Sequence, residues 1–118
     1  MRRVIVESPF GGDVERNLRY LRACMADCLA RGESPYASHA LYTQPGVLDD
    51  TKPDERTKGI AAGFVWRRAA HATVFYLDLG TSRGMELGMA DALGMAAEPG
   101  CENHVIEVRR LGGEWACP

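Results

Sequence analysis

The sequence predicts an α/β protein with a small, mainly parallel sheet of four to five strands. Short β-rich runs alternate with segments of helical periodicity along the chain, and such alternation implies parallel strands joined by right-handed crossovers. The run from Thr73 to Leu77 is apolar throughout, as is typical of a central strand covered on both faces. The expected architecture is a flavodoxin-like three-layer sandwich, formed by one domain over residues 1–118.

Four runs are predicted as strands, and a fifth is a candidate edge strand. The first, RVIVE at residues 3–7, is stopped by Pro9 and the Gly11-Gly12 pair. The others cover residues 34–38, 71–78 and 104–108, and the candidate edge strand covers residues 114–116.

Three helices are predicted between these strands. Asp13 caps the first, which ends near Gly32; Pro53 opens the second; and Ser82 caps the third, which reaches about Met95. Residues 39–52 have no sustained period and form a loop of functional length. The predicted core-facing residues are Val14, Leu18, Leu21, Met25, Cys28 and Leu29, then Ile60, Ala61, Phe64, Val65 and Ala69, then Met85, Met89, Ala92, Leu93 and Ala96.

The amino-acid composition limits the kinds of partner that we expect this protein to bind. The formal net charge is -2, which argues against a general electrostatic grip on nucleic acid or on an anionic membrane. A small polar ligand fits this charge better. No apolar run approaches the length of a membrane span. Residues 1–3 lead directly into a short β-rich run, which is too short to be the apolar part of a signal peptide. We therefore expect a cytoplasmic protein.

The cysteines predict neither a metal site nor disulfides. Cys24 and Cys28 lie four residues apart, Cys101 and Cys117 lie near the C-terminus, and no CxxC pair occurs. A set of Cys24, Cys28, Cys101 and His104 matches no familiar structural-zinc spacing. Free cysteines in a reduced compartment are the simpler interpretation.

Polar residues follow the first three strands, whose carboxyl ends should meet at one edge of the sheet. The first loop offers Glu7, Ser8, Phe10, Gly11 and Gly12, the second offers His39, and the third offers Asp78, Gly80, Ser82, Gly84 and Glu86. The glycines of the first loop either bring backbone amides to a phosphate or serve turn geometry alone. Neither a dinucleotide-binding nor a P-loop motif is present.

Glu86 is the most distinctive of these residues, because it lies in the first turn of the third helix between Met85 and Leu87. A carboxylate in this position can attack the anomeric carbon of a sugar and form a covalent intermediate. Ser82, in contrast, is explained by its capping role alone. His39 is either a ligand contact or proton-transfer group, or a structural histidine.

The segment from Arg83 to Ala90, RGMELGMA, resembles the signature of the nucleoside 2-deoxyribosyltransferase family and the related 2′-deoxynucleoside 5′-monophosphate N-glycosidases. SHALYTQ at residues 38–44 is similar to short, often phage-encoded members of that superfamily. The resemblance implies that Glu86 is the nucleophile, and that Ser8, Gly11, Gly12, Ser82 and Gly84 bind the sugar or its 5′-phosphate. It also implies a homo-oligomer and no cofactor.

Two departures from the family pattern bear on chemistry. The first strand, VIVE at residues 4–7, lacks the usual tyrosine, and GFVW at residues 63–66 lacks the usual aspartate. Glu7 and Asp78 are candidate replacement acids that orient the sugar or shuttle protons. Tyr42 could replace the tyrosine if its loop folds inward.

Three functional interpretations follow. The first is cleavage or transfer of the N-glycosidic bond of a deoxynucleoside or its 5′-monophosphate through a covalent intermediate on Glu86. The second is a nucleotide-binding module that senses or sequesters its ligand without turnover, and the missing tyrosine and aspartate favour it. The third is an interaction module in which Trp66 and Trp115 serve an interface.

Overall fold

A computed structural model describes residues 1–116, and within them four parallel strands form one sheet in the order β2-β1-β3-β4. The strands are β1 (Arg2–Glu7), β2 (Glu33–Tyr36), β3 (Ala72–Tyr76) and β4 (Val105–Arg109). β1 pairs with β2 on one side and with β3 on the other. This topology confirms the predicted α/β fold and its parallel sheet.

Helices cover both faces of the sheet. Helix α1 (Val14–Ala30) packs on one face, where Val4, Val6 and Val74 share a buried cluster with its residues Tyr20 and Leu21. Helices α3 (Pro53–Arg67) and α4 (Arg83–Gly94) lie on the other face, and a short helix α2 (Ser38–Leu41) packs against α3. These three layers confirm the expected sandwich.

The helix boundaries follow local chemistry. The Asp13 carboxylate accepts a hydrogen bond from the Arg16 backbone N–H at 3.1 Å, and Ser82 Oγ accepts one from the Met85 N–H at 3.2 Å. Each bond satisfies a donor that the first helical turn leaves without a partner. Pro53 occupies the first turn of α3 as predicted. Gly32 lies just beyond the end of α1 at a φ of 77°, a left-handed conformation that favours glycine.

The predicted core faces of the helices need correction. On α1, Val14 and Leu29 are exposed, and the buried stripe is formed instead by Asn17, Tyr20, Leu21, Cys24 and Cys28. The true stripe is centred on Tyr20 and Cys24 and includes a polar Asn17, which a search for apolar spacing passes over. Leu93 on α4 is also exposed, whereas Met85 and Ala92 are buried as predicted.

Helix α3 departs most from prediction. Ala61, Val65 and Ala69 are exposed, and the fully buried residues of this helix are Gly63 and Arg67. Gly63 packs so closely on Ser38 that a Cβ at this position would collide with the serine side chain. The inner face of α3 is therefore lined by glycine and arginine, which apolar periodicity cannot detect.

The C-terminal segment does not form the predicted edge strand. Residues Gly113–Trp115 form a 3-10 turn, and the Trp115 ring packs against Tyr20 with centroids 5.0 Å apart. Trp115 thus closes the core beneath α1 instead of pairing with β4. Cys117 lies outside the described residues.

Two of the three described cysteines lie in the core of the fold. Cys24, Cys28 and Cys101 are free thiols, and Cys24 and Cys28 are buried. Within residues 1–116 no three His, Cys, Asp or Glu side chains are grouped as a metal site would require. In the same range, no helix is both long and apolar enough to span a bilayer.

Candidate functional site

A cavity of about 370 Å³ opens at the carboxyl ends of β1 and β2. Its size lies in the range of small-molecule sites. Apolar side chains from three segments form part of the wall, namely Ile5, Phe10, Leu48, Ile60 and Phe64. Polar side chains face the same space, among them Glu7, Ser8, His39, Asp50, Arg56 and Arg67. Apolar walls with a few polar groups suit a ligand that has both a ring and hydrogen-bonding groups.

Glu7 is one of three carboxylates that line this cavity, the others being Asp50 and Glu55. Its side chain is only 12% exposed, and its Oε2 accepts a hydrogen bond from Arg67 Nη2 at 2.5 Å. Burial raises the pKa of Glu7, and the positive charge of Arg67 opposes that rise. Gly88 of α4 leaves the room that this carboxylate occupies, since a Cβ there would overlap it.

Arg67 holds Glu7 and is itself held from two further directions. Its Nε donates to Asp91 Oδ2 at 2.9 Å and its Nη1 donates to Thr73 Oγ1 at 2.8 Å, while the side chain is 2% exposed. The guanidinium carbon also lies 5.5 Å from the centre of the Phe64 ring. Sequence reasoning missed Arg67 because an arginine in the last turn of a helix is explained by the helix dipole. Its spacing from Ile60 and Phe64, at seven and three residues, was the signal of a shared face.

Ser8 and His39 form a second polar pair on the wall. Ser8 Oγ and His39 Nε2 are 2.8 Å apart, and Ser8 is buried. Burial lowers the pKa of His39 to about 4. His39 is therefore neutral at physiological pH and exchanges hydrogen bonds without carrying charge.

The segment after α2 adds Tyr42, which the sequence analysis considered, and the pair Asp50 and Arg56, which it did not select. Tyr42 lines the cavity, where its hydroxyl accepts hydrogen bonds from Tyr36 at 2.7 Å and from Trp66 Nε1 at 3.0 Å. Its role as a replacement for the missing tyrosine stays a prediction. Arg56 is paired with Asp50 at 3.1 Å, and both side chains reach the cavity.

The motif helix contributes its first turn to the cavity but not its glutamate. Ser82, Arg83 and Gly84 line the wall. Glu86 is exposed to solvent and is absent from the cavity lining. The Glu86 backbone N–H is used within the helix, where it donates to the Ser82 carbonyl at 3.0 Å.

Asp78 lies outside the cavity and holds the C-terminal segment in place. Its Oδ1 accepts hydrogen bonds from Tyr20 Oη at 2.6 Å and from the Leu111 N–H at 2.8 Å, and its Oδ2 accepts one from the Gly112 N–H at 2.9 Å. These donors outweigh burial and lower the pKa of Asp78. Every bond to this carboxylate belongs to the fold.

The cavity therefore brings together seven of the residues selected from the sequence and leaves out four. The seven on the wall are Glu7, Ser8, Phe10, Gly11, His39, Ser82 and Gly84, and the four outside it are Gly12, Asp78, Gly80 and Glu86. Gly12 and Gly80 have φ values of 86° and 78°, so turn geometry explains both glycines.

Comparison with known proteins agrees with this architecture. A family model described as Domain of unknown function (DUF7768) matches residues 2–98. A solved structure of a 2-deoxyribosyltransferase from the psychrotolerant bacterium Bacillus psychrosaccharolyticus, described as a biocatalyst for nucleoside synthesis, is similar at a TM-score of 0.57 and 15% identity. The similarity covers 95% of this chain and 74% of the other, and at this identity it shows the shared fold. No curated protein matches the sequence.

Proposed function

The chain belongs to the family Domain of unknown function (DUF7768), and we propose that it binds a nucleoside or its 5′-monophosphate and cleaves or transfers the N-glycosidic bond. The observation that carries this proposal is a buried carboxylate, Glu7, on the wall of a cavity at the carboxyl edge of the sheet. The fold shared with a 2-deoxyribosyltransferase supports the same class of ligand.

The lining residues suit both parts of such a ligand. Phe10 and Phe64 offer aromatic surface to a base, and the neutral His39 can exchange hydrogen bonds with its edge. The lining also includes the first turn of α4, at Ser82 and Gly84, and the guanidinium of Arg56, whose Nη2 lies 3.6 Å from where a Cβ on Gly84 would be. Positive charge and a helix N-terminus favour a 5′-phosphate there.

Two carboxylates are candidates for the nucleophile of the reaction. The motif resemblance implies Glu86, through a covalent glycosyl intermediate on its side chain. The cavity favours Glu7, because Glu86 is exposed and does not line the wall. No cofactor is needed for either route, since attack by a carboxylate on the anomeric carbon is complete in itself.

Binding without turnover is the second candidate function, and one observation favours it. Glu7 is paired with a buried arginine, whose positive charge makes the carboxylate a weaker nucleophile but leaves it able to accept hydrogen bonds from sugar hydroxyl groups. In that case the cavity would sense or sequester a nucleotide.

Incubation of the purified protein with a panel of deoxynucleosides and their 5′-monophosphates, with chromatography of free base, tests the proposal. We expect base release from at least one member. Phe64→Ala should weaken ligand binding by about tenfold, because it removes an aromatic wall. Val65→Ala is the matched control, since Val65 is the next residue of α3 and is 70% exposed. Tight binding with no base release would favour the binding module, and neither binding nor release would contradict both.

The proposal also covers the oligomeric state and the cellular location of the protein. We propose that the protein forms a homo-oligomer, as the resemblance implies, and that it is cytoplasmic, as expected from the sequence. Light scattering of the purified chain would test the assembly, and a monomer at micromolar concentration would contradict it.

A further inference from the structure

We propose that Ser8 and His39 together form hydrogen bonds of either polarity with a bound base, so that the cavity accepts both bases with an amino group and bases with an oxo group on the contacted edge. This inference rests on the proposed function, because it names the bases that the same cavity would take. It is argued from the bond between the two side chains, from the ring atom that this bond leaves open, and from a comparison with the other two histidines of the sequence.

Ser8 and His39 are bonded to each other on the wall of the cavity. Ser8 Oγ lies 2.8 Å from His39 Nε2, and both residues line the cavity. Within residues 1–116 this is the one hydrogen bond that the Ser8 hydroxyl and the His39 ring make. A hydroxyl group can donate or accept, so the bond forms whichever of the two ring nitrogens carries the proton.

The other ring nitrogen of His39, Nδ1, is open to a ligand. Within the described residues, Arg109 Nε is the one buried side-chain nitrogen or oxygen that has no hydrogen-bond partner. His39 Nδ1 has no partner in that range either, and it is therefore not sealed within the protein. Because His39 lines the cavity, Nδ1 is available to the edge of a bound base.

A neutral His39 ring is what makes both polarities accessible. Burial lowers the pKa of His39 to about 4, so at physiological pH one ring nitrogen donates and the other accepts. A protonated ring would donate from both nitrogens and would leave an amino group of the base without an acceptor.

The two arrangements of this pair present opposite patterns to a ligand. When Nε2 of His39 carries the proton, it donates to Ser8 Oγ. Nδ1 then accepts a hydrogen bond from the ligand, which suits an amino group. When Nδ1 carries the proton, it donates to the ligand while the Ser8 hydroxyl donates to Nε2, which suits an oxo group.

The other two histidines show what holds a ring in a single arrangement. His71 Nδ1 accepts from the Arg3 backbone N–H at 2.9 Å, so in the neutral ring Nε2 carries the proton. His104 Nδ1 lies 3.0 Å from the Ala70 carbonyl oxygen, which can only accept, so its Nδ1 carries the proton. Each of these rings faces a backbone group of one polarity. His39 faces a hydroxyl group instead, and the ligand is left to select its arrangement.

The common bases differ in this same respect. Adenine and cytosine carry an amino group beside an unprotonated ring nitrogen, whereas hypoxanthine and uracil carry an oxo group beside a protonated one. Donor and acceptor are therefore exchanged between the two members of each pair, while the shape of the base is nearly the same. A site of fixed polarity would discriminate strongly within each pair, because one member would leave polar groups unpaired. The pair of Ser8 and His39 avoids that loss.

Nitrogen-15 NMR of the unmodified protein tests this inference, because the signal of each ring nitrogen shows whether it carries the proton. The probes are carbocyclic analogues of the 2′-deoxynucleoside 5′-monophosphates of adenine, hypoxanthine, cytosine and uracil. In these analogues a carbon replaces the sugar ring oxygen, so the bond to the base is not cleaved during the measurement. His71 and His104 are internal references for the two arrangements, and neither should change when an analogue binds.

We expect the proton on Nε2 of His39 with an amino base and on Nδ1 with the matching oxo base. The affinities for the two members of a pair should agree within about threefold. His39→Phe keeps a ring but removes both nitrogens, and it should weaken binding of both members equally, by about tenfold.

A proton that stays on the same nitrogen of His39 with both members of a pair would overturn this inference and leave the proposed function standing. A preference of more than about thirtyfold for one member would do the same, because it would show a fixed polarity. Failure of all four analogues to bind would also overturn the inference. The same failure, together with no base release from the natural nucleotides, would remove the proposed function as well.

Discussion

Glu7 and Asp78 lie near the carboxyl ends of the neighbouring parallel strands β1 and β3, yet their surroundings differ. Glu7 accepts one hydrogen bond, from Arg67, and faces a cavity. Asp78 accepts three, from Tyr20 and from the backbone of Leu111 and Gly112, and lies outside that cavity. The pKa of Glu7 is raised by burial, whereas that of Asp78 is lowered by its donors.

The difference distinguishes carboxylates that stabilise the fold from carboxylates that can contact a ligand. A carboxylate whose oxygens are filled by donors of the same chain stabilises structure, and binding a ligand there would require breaking those bonds. A carboxylate that lines a cavity and is held by one side chain is ordered and can still contact a ligand. Asp78 belongs to the first kind and Glu7 to the second.

Removing the Asp78 carboxylate should have the largest effect on stability. We expect Asp78→Ala to lower the free energy of unfolding by about 3 to 5 kcal/mol, because it strands one hydroxyl and two backbone N–H groups. Asp78→Asn keeps one carbonyl oxygen and should cost less. Urea denaturation measures both variants. Base release per folded molecule should stay within about twofold of wild type, and loss of activity in a folded Asp78→Asn would erase the contrast with Glu7.

Gly88→Ala should disturb Glu7 from the opposite side. The new methyl group overlaps the Glu7 carboxylate, so we expect a cost of about 1 to 3 kcal/mol in stability and a fall of at least about tenfold in base release.

Gly94→Ala is the matched control for that variant, because Gly94 ends the same helix and has open space where its Cβ would be. It should raise stability by up to about 1 kcal/mol through helix propensity alone. Equal behaviour of the two variants in denaturation and base release would show that the Glu7 carboxylate does not depend on Gly88.

The smallest effect concerns His39, which lines the same cavity as Glu7. Its pKa of about 4 lies below the ordinary value of 6.5, so its ring should stay neutral throughout pH 5 to 8. As pH falls from 6.5 toward 4, His39 becomes protonated in the unfolded chain before it does so in the folded chain. His39 therefore lowers the free energy of unfolding over this pH range. NMR of the imidazole signals measures the titration.

Ser8→Ala is the control for the histidine. Burial is the cause of the lowered pKa, so the variant should keep His39 neutral even though it removes the hydroxyl partner. A midpoint near 6.5 in wild type would contradict the account of a buried, uncharged ring.

Local patterns in the sequence were sufficient to predict the fold. Alternating runs predicted the parallel sheet, capping by Asp13 and Ser82 located two helix starts, and the buried Met85 follows from helical spacing. The rule that parallel strands share a ligand-binding edge also brought Glu7, Ser8 and His39 together. Each of these inferences depends on residues close in sequence or on a general property of the sheet.

The rest depends on contacts between distant residues. The Asp78 carboxylate accepts two of its hydrogen bonds from the backbone N–H groups of Leu111 and Gly112, more than thirty residues later. No pattern near Asp78 in the sequence predicts such a contact. Arg67 is buried where it pairs with Glu7, sixty residues earlier in the chain. The first turn of α4 likewise does not fix how the helix is rotated against the cavity, so the exposure of Glu86 could not be predicted from its motif.

The most direct test of the account compares base release by Glu7→Gln and Glu86→Gln under one set of conditions. Both changes remove one negative charge and keep the side-chain shape, and thermal melting of each variant confirms that it is folded. We predict that one of the two variants lowers the rate by at least about 1000-fold, which identifies the nucleophile. Glu7→Gln should lower it by at least about tenfold in either case, because Glu7 lies on the cavity wall. Wild-type rates in both folded variants would contradict the central claim.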